Sequence, residues 1–314
     1  MANHSVLVTG SSGTVGTRLV QRLLKQDYIV HGVDINPNPW SERVDDVTRT
    51  IDLCDPTSLD KLPEDVDTVI HLAAHARVHQ LVEDPRRAQE NVDMTFNVLE
   101  YARQTGVSNV IFSSSREVYG NGDDIISSES DTFADECESP YTASKISGEA
   151  LVKSYQNCYG INSSILRFSN VYGKFDASDR VVPLFIAQAS NGQDLTIYGN
   201  EKVLDFTYIE DCVDGIYKVL DNFSKSQGMT FNIASGEGAS LVDLAEIVVD
   251  KVGADSAIHV EPSRTGEIAR YVADISKAQK VLGYQPSFSF EEGIEETVNW
   301  YINNDHLFEE VLTK

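Results

Sequence analysis

Short apolar runs alternate with helical stretches through the first half of the chain. Ser5-Val-Leu-Val-Thr9, Ile29-Val-His-Gly-Val33, Thr50-Ile-Asp52-Leu53, Thr68-Val-Ile-His-Leu-Ala-Ala74, Asn109-Val-Ile-Phe-Ser113 and Ser163-Ser-Ile-Leu-Arg167 each read as a buried parallel strand. Between them, helical spacing runs through Leu19, Leu23 and Leu24, from Pro85 to Gln104, and from Tyr141 to about Tyr159 after Ser139-Pro140. Residues 121–138 are acidic, rich in Ser and Asp and without period, so they read as a solvent-facing loop and not a metal site. Past Gly173 the alternation breaks into shorter pieces. These are Val181 to Asn191, Leu195 to Gly199, Asp205 to Ile209 leading into a helix near Leu220, a strand Thr230 to Ala234, and helices Leu241 to Val252 (opened by Ser240) and Ser276 to Leu282. The pattern predicts an α/β chain: a Rossmann-type doubly wound parallel sheet over 1–170, with a smaller C-terminal α/β substrate-binding lobe over 171–314. Residues 205–234 are expected to return to the first domain.

Candidate chemistry sits at the carboxyl ends of these strands, where doubly wound sheets take ligands. Gly10, Gly13 and Gly16, with Ser12, Thr14 and Val15 between them, join the first strand to the first helix. Such a loop allows close approach of backbone N–H groups to a pyrophosphate. Asp34, followed by Ile35 and Asn36, ends the second strand, where a carboxylate hydrogen-bonds the adenosine ribose and repels a 2′-phosphate. The expected cofactor is therefore NAD, not NADP. Asp52 and Leu53 are placed at the adenine; Leu72, Ala73 and Ala74 let backbone approach the cofactor; Asn91 braces the site; and Ser113 to Ser115 arrive on the fifth strand. Tyr141 and Lys145 are four apart on a helix and share a face. An ammonium beside a phenol favours the phenolate, so Tyr141 is expected well below its usual value of about 10, ready to take a proton from an alcohol. Ser115 is expected to hold the same hydroxyl.

Hydrophobic residues make up 41% of the 314, ordinary for a globular protein, and no apolar run approaches the ~20 residues of a membrane span. The start runs straight into a strand, without the look of a signal peptide. Four scattered cysteines with no Cys-x-x-Cys pair suit a reducing cytoplasm and argue against a metal cage. The net charge of −24 disfavours nucleic acid and is compatible with a halophilic source or a merely acidic one.

Thr9-Gly-x-x-Gly-x-x-Gly16, Asp34, Asp52-Leu53, His71-Leu-Ala-Ala74, Ser113-Ser-Ser115, Tyr141-x-x-x-Lys145 and Arg167-Phe-Ser-Asn170-Val-Tyr-Gly173 together resemble the extended short-chain dehydrogenase/reductases. Within them, the NAD-dependent nucleotide-sugar epimerases and dehydratases are the match, over nearly the whole chain. Arg264-Thr-Gly-Glu267 is similar to the late diphosphate-binding stretch of UDP-glucose 4-epimerases. The resemblance implies Ser115, Tyr141 and Lys145 as catalytic residues and NAD as cofactor. It implies Asn170, Val182, Tyr198, Arg264 and Glu267, with Ser115 and Glu117, on a UDP-sugar. It also implies a homodimer formed through the helices around 86–104 and 141–159, with Val92, Phe96, Val98, Leu99, Val152 and Tyr155 exposed for pairing. Two positions depart from the pattern. Leu204 stands in Leu204-Asp205-Phe206 where many relatives carry an arginine, and Lys202 would need a different reach. Arg116 precedes Glu117 where dehydratases carry an acidic Asp, and Ser-Arg-Glu also partly resembles UDP-glucuronate decarboxylases. The expected activity is inversion of C4 of a UDP-hexose; the rivals are a decarboxylase or dehydratase using Glu117, and a non-catalytic NAD-sensing regulator.

Overall fold

The computed structural model describes residues 4–121, 126–131, 137–262 and 270–313. Its strands, in chain order, are β1 (Ser5–Thr9), β2 (Ile29–Asp34), β3 (Thr48–Thr50), β4 (Thr68–His71), β5 (Asn109–Ser115), β6 (Ile126–Ser127) and β7 (Asn162–Phe168). β8 (Asn170–Tyr172), β9 (Leu195–Tyr198), β10 (Val203–Tyr208), β11 (Thr230–Ile233), β12 (Gly238–Ser240), β13 (Ile258–Glu261) and β14 (Arg270–Ala273) follow. Seven of them form one sheet in the order β11-β7-β5-β4-β1-β2-β3, every neighbouring pair parallel. The chain runs outward from β1 to β3, then crosses back to β4. The switch point between β1 and β4 is therefore where the carboxyl ends leave a crevice.

The sheet is buried on both faces, which explains the near-continuous apolar runs of its strands. The Thr14–Lys25 helix covers one face with Leu19, Val20 and Leu23. The Ile209–Asp221 helix lies beside it, joined by Arg18 to Glu210 through two 2.6 Å hydrogen bonds and by Arg22 to Asp214 at 2.7 Å. On the other face the Arg86–Thr105 and Pro140–Tyr159 helices pack together over β4 and β5. Gly148 permits this closeness: a Cβ there would stand 2.4 Å from the Phe112 ring.

The second lobe is a five-stranded sheet, β12-β10-β14-β6 with β8 pairing β10, beside a β13-β9 pair. Fully buried Asp205 holds it together. Its carboxylate accepts from the Ser235 and Gly236 backbone at 2.9 Å, the Ser235 hydroxyl at 2.7 Å and the Ala273 backbone at 3.3 Å.

Three expectations need correction. The third strand ends at Thr50, because Asp52 turns its carboxylate onto the Cys54 N–H at 2.8 Å and leaves the ladder. The 121–138 stretch contributes the short β6, paired to Val272 and Ala273. Val98, Leu99, Val152 and Tyr155 are not exposed for pairing; they are buried within the chain, where the two helices meet the sheet. Phe96 remains open, at 46% exposure.

Candidate active site

Gly10 turns the chain away from β1 with φ +72°, and a Cβ there would meet the Ala73 backbone nitrogen at 2.8 Å. At Gly16 an added Cβ would lie 2.0 Å from the Gly10 carbonyl oxygen, so the loop closes on itself only with glycine. Gly13 is the N-cap of the following helix; no side chain caps that end and its first turn holds no acid. Backbone N–H groups are thus left for an anion. Thr14 ties the loop to the Phe175 carbonyl at 2.9 Å, and Val15 faces the cavity described below.

Asp34 ends β2 beside this loop. Its carboxylate accepts from the Ser12 N–H and the Asn36 N–H, both at 3.0 Å, while the Ser12 hydroxyl donates to the Asn36 carbonyl at 2.9 Å. Ile35 is 61% exposed at the same corner. Leu53 is buried, its carbonyl taken by Asn97 at 2.8 Å, and Asp52 stays at the surface. After β4, Leu72 and Ala73 donate to the Thr9 carbonyl and hydroxyl at 3.2 Å each. Asn91 accepts from His75 N–H at 2.7 Å and donates to Ser144, on the Tyr141 helix, at 3.1 Å.

Between the sheet and the second lobe lies a cavity of about 480 Å³, lined by Leu72, Ala74, Ser113, Ser115, Tyr141 and Lys145 on the sheet side. Ser139 caps the Tyr141 helix by accepting from Thr142 N–H at 3.2 Å, with Pro140 at the first helical position, so the helix starts at the cavity rim. Beneath it, Arg167 grips Glu149 through bonds of 2.9 and 2.8 Å, and Glu149 also accepts from Ser114 at 2.6 Å. This buried ion pair fixes β5, β7 and the helix in register.

The expected lowering of Tyr141 does not occur. Burial pushes its hydroxyl up to about 12; a hydrogen bond from Ser115 pulls it back, Glu117 raises it, and Arg180 and Arg116 lower it. Lys145 is turned elsewhere. Its ammonium donates to the Ser113 carbonyl at 2.8 Å and lies 5.8 Å from the Tyr141 ring centre. Burial also brings Lys145 itself down to about 8. The spacing argument placed the two groups correctly and omitted the desolvation that dominates both.

The far wall comes from the second half of the chain. Asn170, which donates to the Asp205 carbonyl at 2.9 Å, and buried Val182 both line the cavity, as does Leu204. Tyr198 pairs in register with Glu261 on the β9–β13 ribbon and is not part of the cavity wall. Arg264 and Glu267 lie outside the described residues. Arg77, Arg180, Asp176 and Asp179 also line the cavity and were not foreseen. They sit in irregular segments, and no motif marks them. Among the described residues, the three carboxylates that line the cavity each face an arginine: Glu117 with Arg116 at 3.0 Å, Asp176 with Arg180 at 3.8 Å, and Asp179 with Arg77.

The dinucleotide-type loop, the acid closing β2 and the Ser–Tyr–Lys set at the strand ends define a member of the short-chain dehydrogenase/reductase class. The profile of the NAD dependent epimerase/dehydratase family matches residues 6–234, and the chain belongs to that family. NAD is the family's cofactor. A putative UDP-glucose 4-epimerase of Methanocaldococcus jannaschii is 32% identical, the match covering 96% of this chain and 99% of that one. Among solved structures, a UDP-glucose 4-epimerase of Thermus thermophilus in complex with NAD superposes with a TM-score of 0.87 at 28% identity, covering 95% and 99% of the two chains. A dTDP-glucose 4,6-dehydratase of Streptomyces venezuelae, solved with NAD, gives 0.88 at 29% identity, covering 97% and 98%.

Proposed function

We propose that this chain is an epimerase that inverts C4 of a UDP-hexose. The observation that carries this reading is the state of the cavity's proton carriers. Among the described residues the cavity's three carboxylates each pair with an arginine and the rim histidine, His79, pairs with Glu83, while Ser115, Tyr141 and Lys145 stand together at the strand ends as the set that would exchange a proton with substrate. One such set suffices for a reaction confined to a single alcohol carbon. Loss of water needs a further acid and base. A specific observation keeps the dehydratase or decarboxylase second: Glu117 is buried in the cavity wall, two residues from Ser115.

The glycine loop from Gly10 to Gly16 would hold the pyrophosphate of NAD, Asp34 with Ile35 and Asn36 the adenosine ribose, and Asp52 and Leu53 the adenine. Leu72 to Ala74, Ser113, Tyr141 and Lys145 would frame the nicotinamide end. NAD, when bound, would supply the hydride acceptor and donor that inversion at C4 requires. The chain's residues do the rest. Ser115 hydrogen-bonds the C4 hydroxyl and Tyr141 carries its proton. Lys145, at about 8, is the one of the three that exchanges protons near neutrality. Asn170 and Val182 line the side of the cavity that would take the sugar nucleotide; the family resemblance alone assigns Tyr198, Arg264 and Glu267 to the nucleotide. Enclosure of the substrate in this cavity would protect the 4-keto sugar from side reactions.

Incubation with UDP-glucose, UDP-N-acetylglucosamine, UDP-glucuronate and dTDP-glucose, read by chromatography and mass, tests the reading. An isobaric product is expected, and Tyr141→Phe should lower its rate by ~10²–10⁴-fold. A product lighter by water or carbon dioxide moves the assignment to the second reading. Absence of turnover with every sugar nucleotide refutes both in favour of a non-catalytic NAD sensor.

A further inference from the structure

The chain has two tryptophans, Trp40 and Trp300, and both line a second cavity of about 390 Å³. It shares no described lining residue with the catalytic cavity. Trp40 comes from the segment after β2, Phe175 from the loop after β8, and Trp300 from the Phe290–Ile302 helix. Exposed Glu310, on the Leu307–Leu312 helix, also lines it. Phe175 and Trp300 have ring centres 5.5 Å apart at 75°, Trp40 and Trp300 5.9 Å at 62°, and Trp40 and Phe175 6.0 Å at 49°. No pair is stacked face to face. The centres are too close to admit a group between them, and a group resting over all three lies within ~6 Å of each, the reach of a cation–π contact.

The backbone holds this wall in place. Phe175 has φ +68°, a conformation that a residue with a Cβ rarely takes. Its carbonyl accepts from the Thr14 hydroxyl at 2.9 Å, and the next carbonyl, of Asp176, accepts from the buried Tyr301 hydroxyl. Backbone strain fixed from both sides in this way is a mark of ligand clamps, and a wall already ordered spares a ligand the entropy of ordering it.

The chemistry of the wall selects the ligand. Aromatic faces carry negative potential and Glu310 adds charge of the same sign. Among the described residues no lysine or arginine lines the cavity, so an anion has no partner there. A primary ammonium would give up strong hydration for rings that offer little hydrogen bonding in return. A quaternary ammonium spreads its charge over methyl groups, which need no hydrogen bond and pack on aromatic faces. We infer that this cavity is a second ligand site, which takes a small quaternary-ammonium compound on Trp40, Phe175 and Trp300 with Glu310 as its counter-charge. The site is independent of the sugar-nucleotide reading.

The test titrates the NAD-loaded enzyme with choline and with its neutral tert-butyl analogue, in which carbon replaces nitrogen, at an ionic strength held constant with sodium chloride. Tryptophan fluorescence is the first readout, because both tryptophans line the cavity, and calorimetry is the second. Choline should bind saturably and about tenfold or more tighter than the analogue. Trp40→Leu should weaken choline about tenfold, with Trp300 still reporting. Glu310→Gln should weaken choline a few-fold and leave the analogue unchanged. The wild-type comparison needs no variant, so a failure of Trp40→Leu to fold leaves the proposal open to refutation. Equal affinity for choline and the analogue, or no saturable binding of choline by either readout, overturns it. Displacement of choline by UDP-glucose also overturns it, because the cation would then sit in the catalytic cavity. Turnover is not read, so none of these results bears on the epimerase reading.

Discussion

Lys145 offers a direct measure of how much stability the site gives up for chemistry. Its side chain is buried, donates one hydrogen bond to the Ser113 carbonyl, and has its amine brought from 10.5 to about 8, chiefly by desolvation. Below pH 8 the lysine is protonated in both the folded and unfolded chain, and the folded state bears the full penalty. At ~1.4 kcal/mol per unit, that penalty is about 3 kcal/mol. Between about 8 and 10.5 the folded lysine has lost its proton while the unfolded one keeps it, so the penalty fades as pH rises and is gone above 10.5. Met fills a similar volume without charge and forfeits a hydrogen bond of about 1 kcal/mol. Lys145→Met should therefore stabilise the cofactor-free protein by about 2 kcal/mol at pH 7 while abolishing turnover. The assay is chemical denaturation of both proteins at pH 7, 8.5 and 10, other titrating groups cancelling in the difference. The gain should shrink steadily and reverse near pH 10. A variant less stable at pH 7, or a gap that does not change with pH, would show that the amine is not held at an electrostatic cost.

Two further outcomes follow from the neighbouring groups. Asp34→Ala removes the acceptor of the Ser12 and Asn36 N–H groups along with the ribose-facing charge, so NAD should bind more weakly and its margin over NADP should narrow; equal wild-type affinities by calorimetry would undo the assignment. Glu117→Gln keeps the size of the residue and lifts its charge from Arg116, and an epimerase should hold turnover within about tenfold, ~1.4 kcal/mol of barrier. A nearly inactive Glu117→Gln that accumulates reduced cofactor in a single turnover would transfer the chemistry to that carboxylate.

What the sequence revealed was local. The glycine loop, Asp34 and the Tyr141–Lys145 pair are each set by a few consecutive residues, and their neighbours along the chain fix their relation in space. Asn91 was legible because the helix carrying it crosses the strand-end loop it braces. What it hid depends on residues far apart. Tyr141 is fully buried beside a cavity whose far wall comes from the second half of the chain, so no spacing rule could show that burial outweighs the lysine. Val98 and Leu99 carry an amphipathic stripe that suits a partner helix as well as a sheet; packing against β4 and β5 decided for the sheet. The Phe290–Ile302 helix had its signal in plain view, a capping box between Ser289 and Glu292. The lone arginines Arg77 and Arg180 had none.

The placement of charge ties these pieces together. A chain with 49 acidic and 25 basic residues nonetheless sets Lys145, Arg77, Arg116 and Arg180 around one cavity. Burying cations is costly, and random placement in so acidic a protein would line the cavity with carboxylates. Those present, Glu117, Asp176 and Asp179, each face an arginine, which offsets their charge and limits their part in proton transfer. At long range the protein repels an anion, over a distance that falls from ~10 Å at 0.1 M salt to ~3 Å at 1 M. Attraction is confined to the cavity, where solvent screens least. An acidic exterior and a cationic interior are thus compatible with one anionic substrate, and salt weakens the repulsion outside far more than the attraction within.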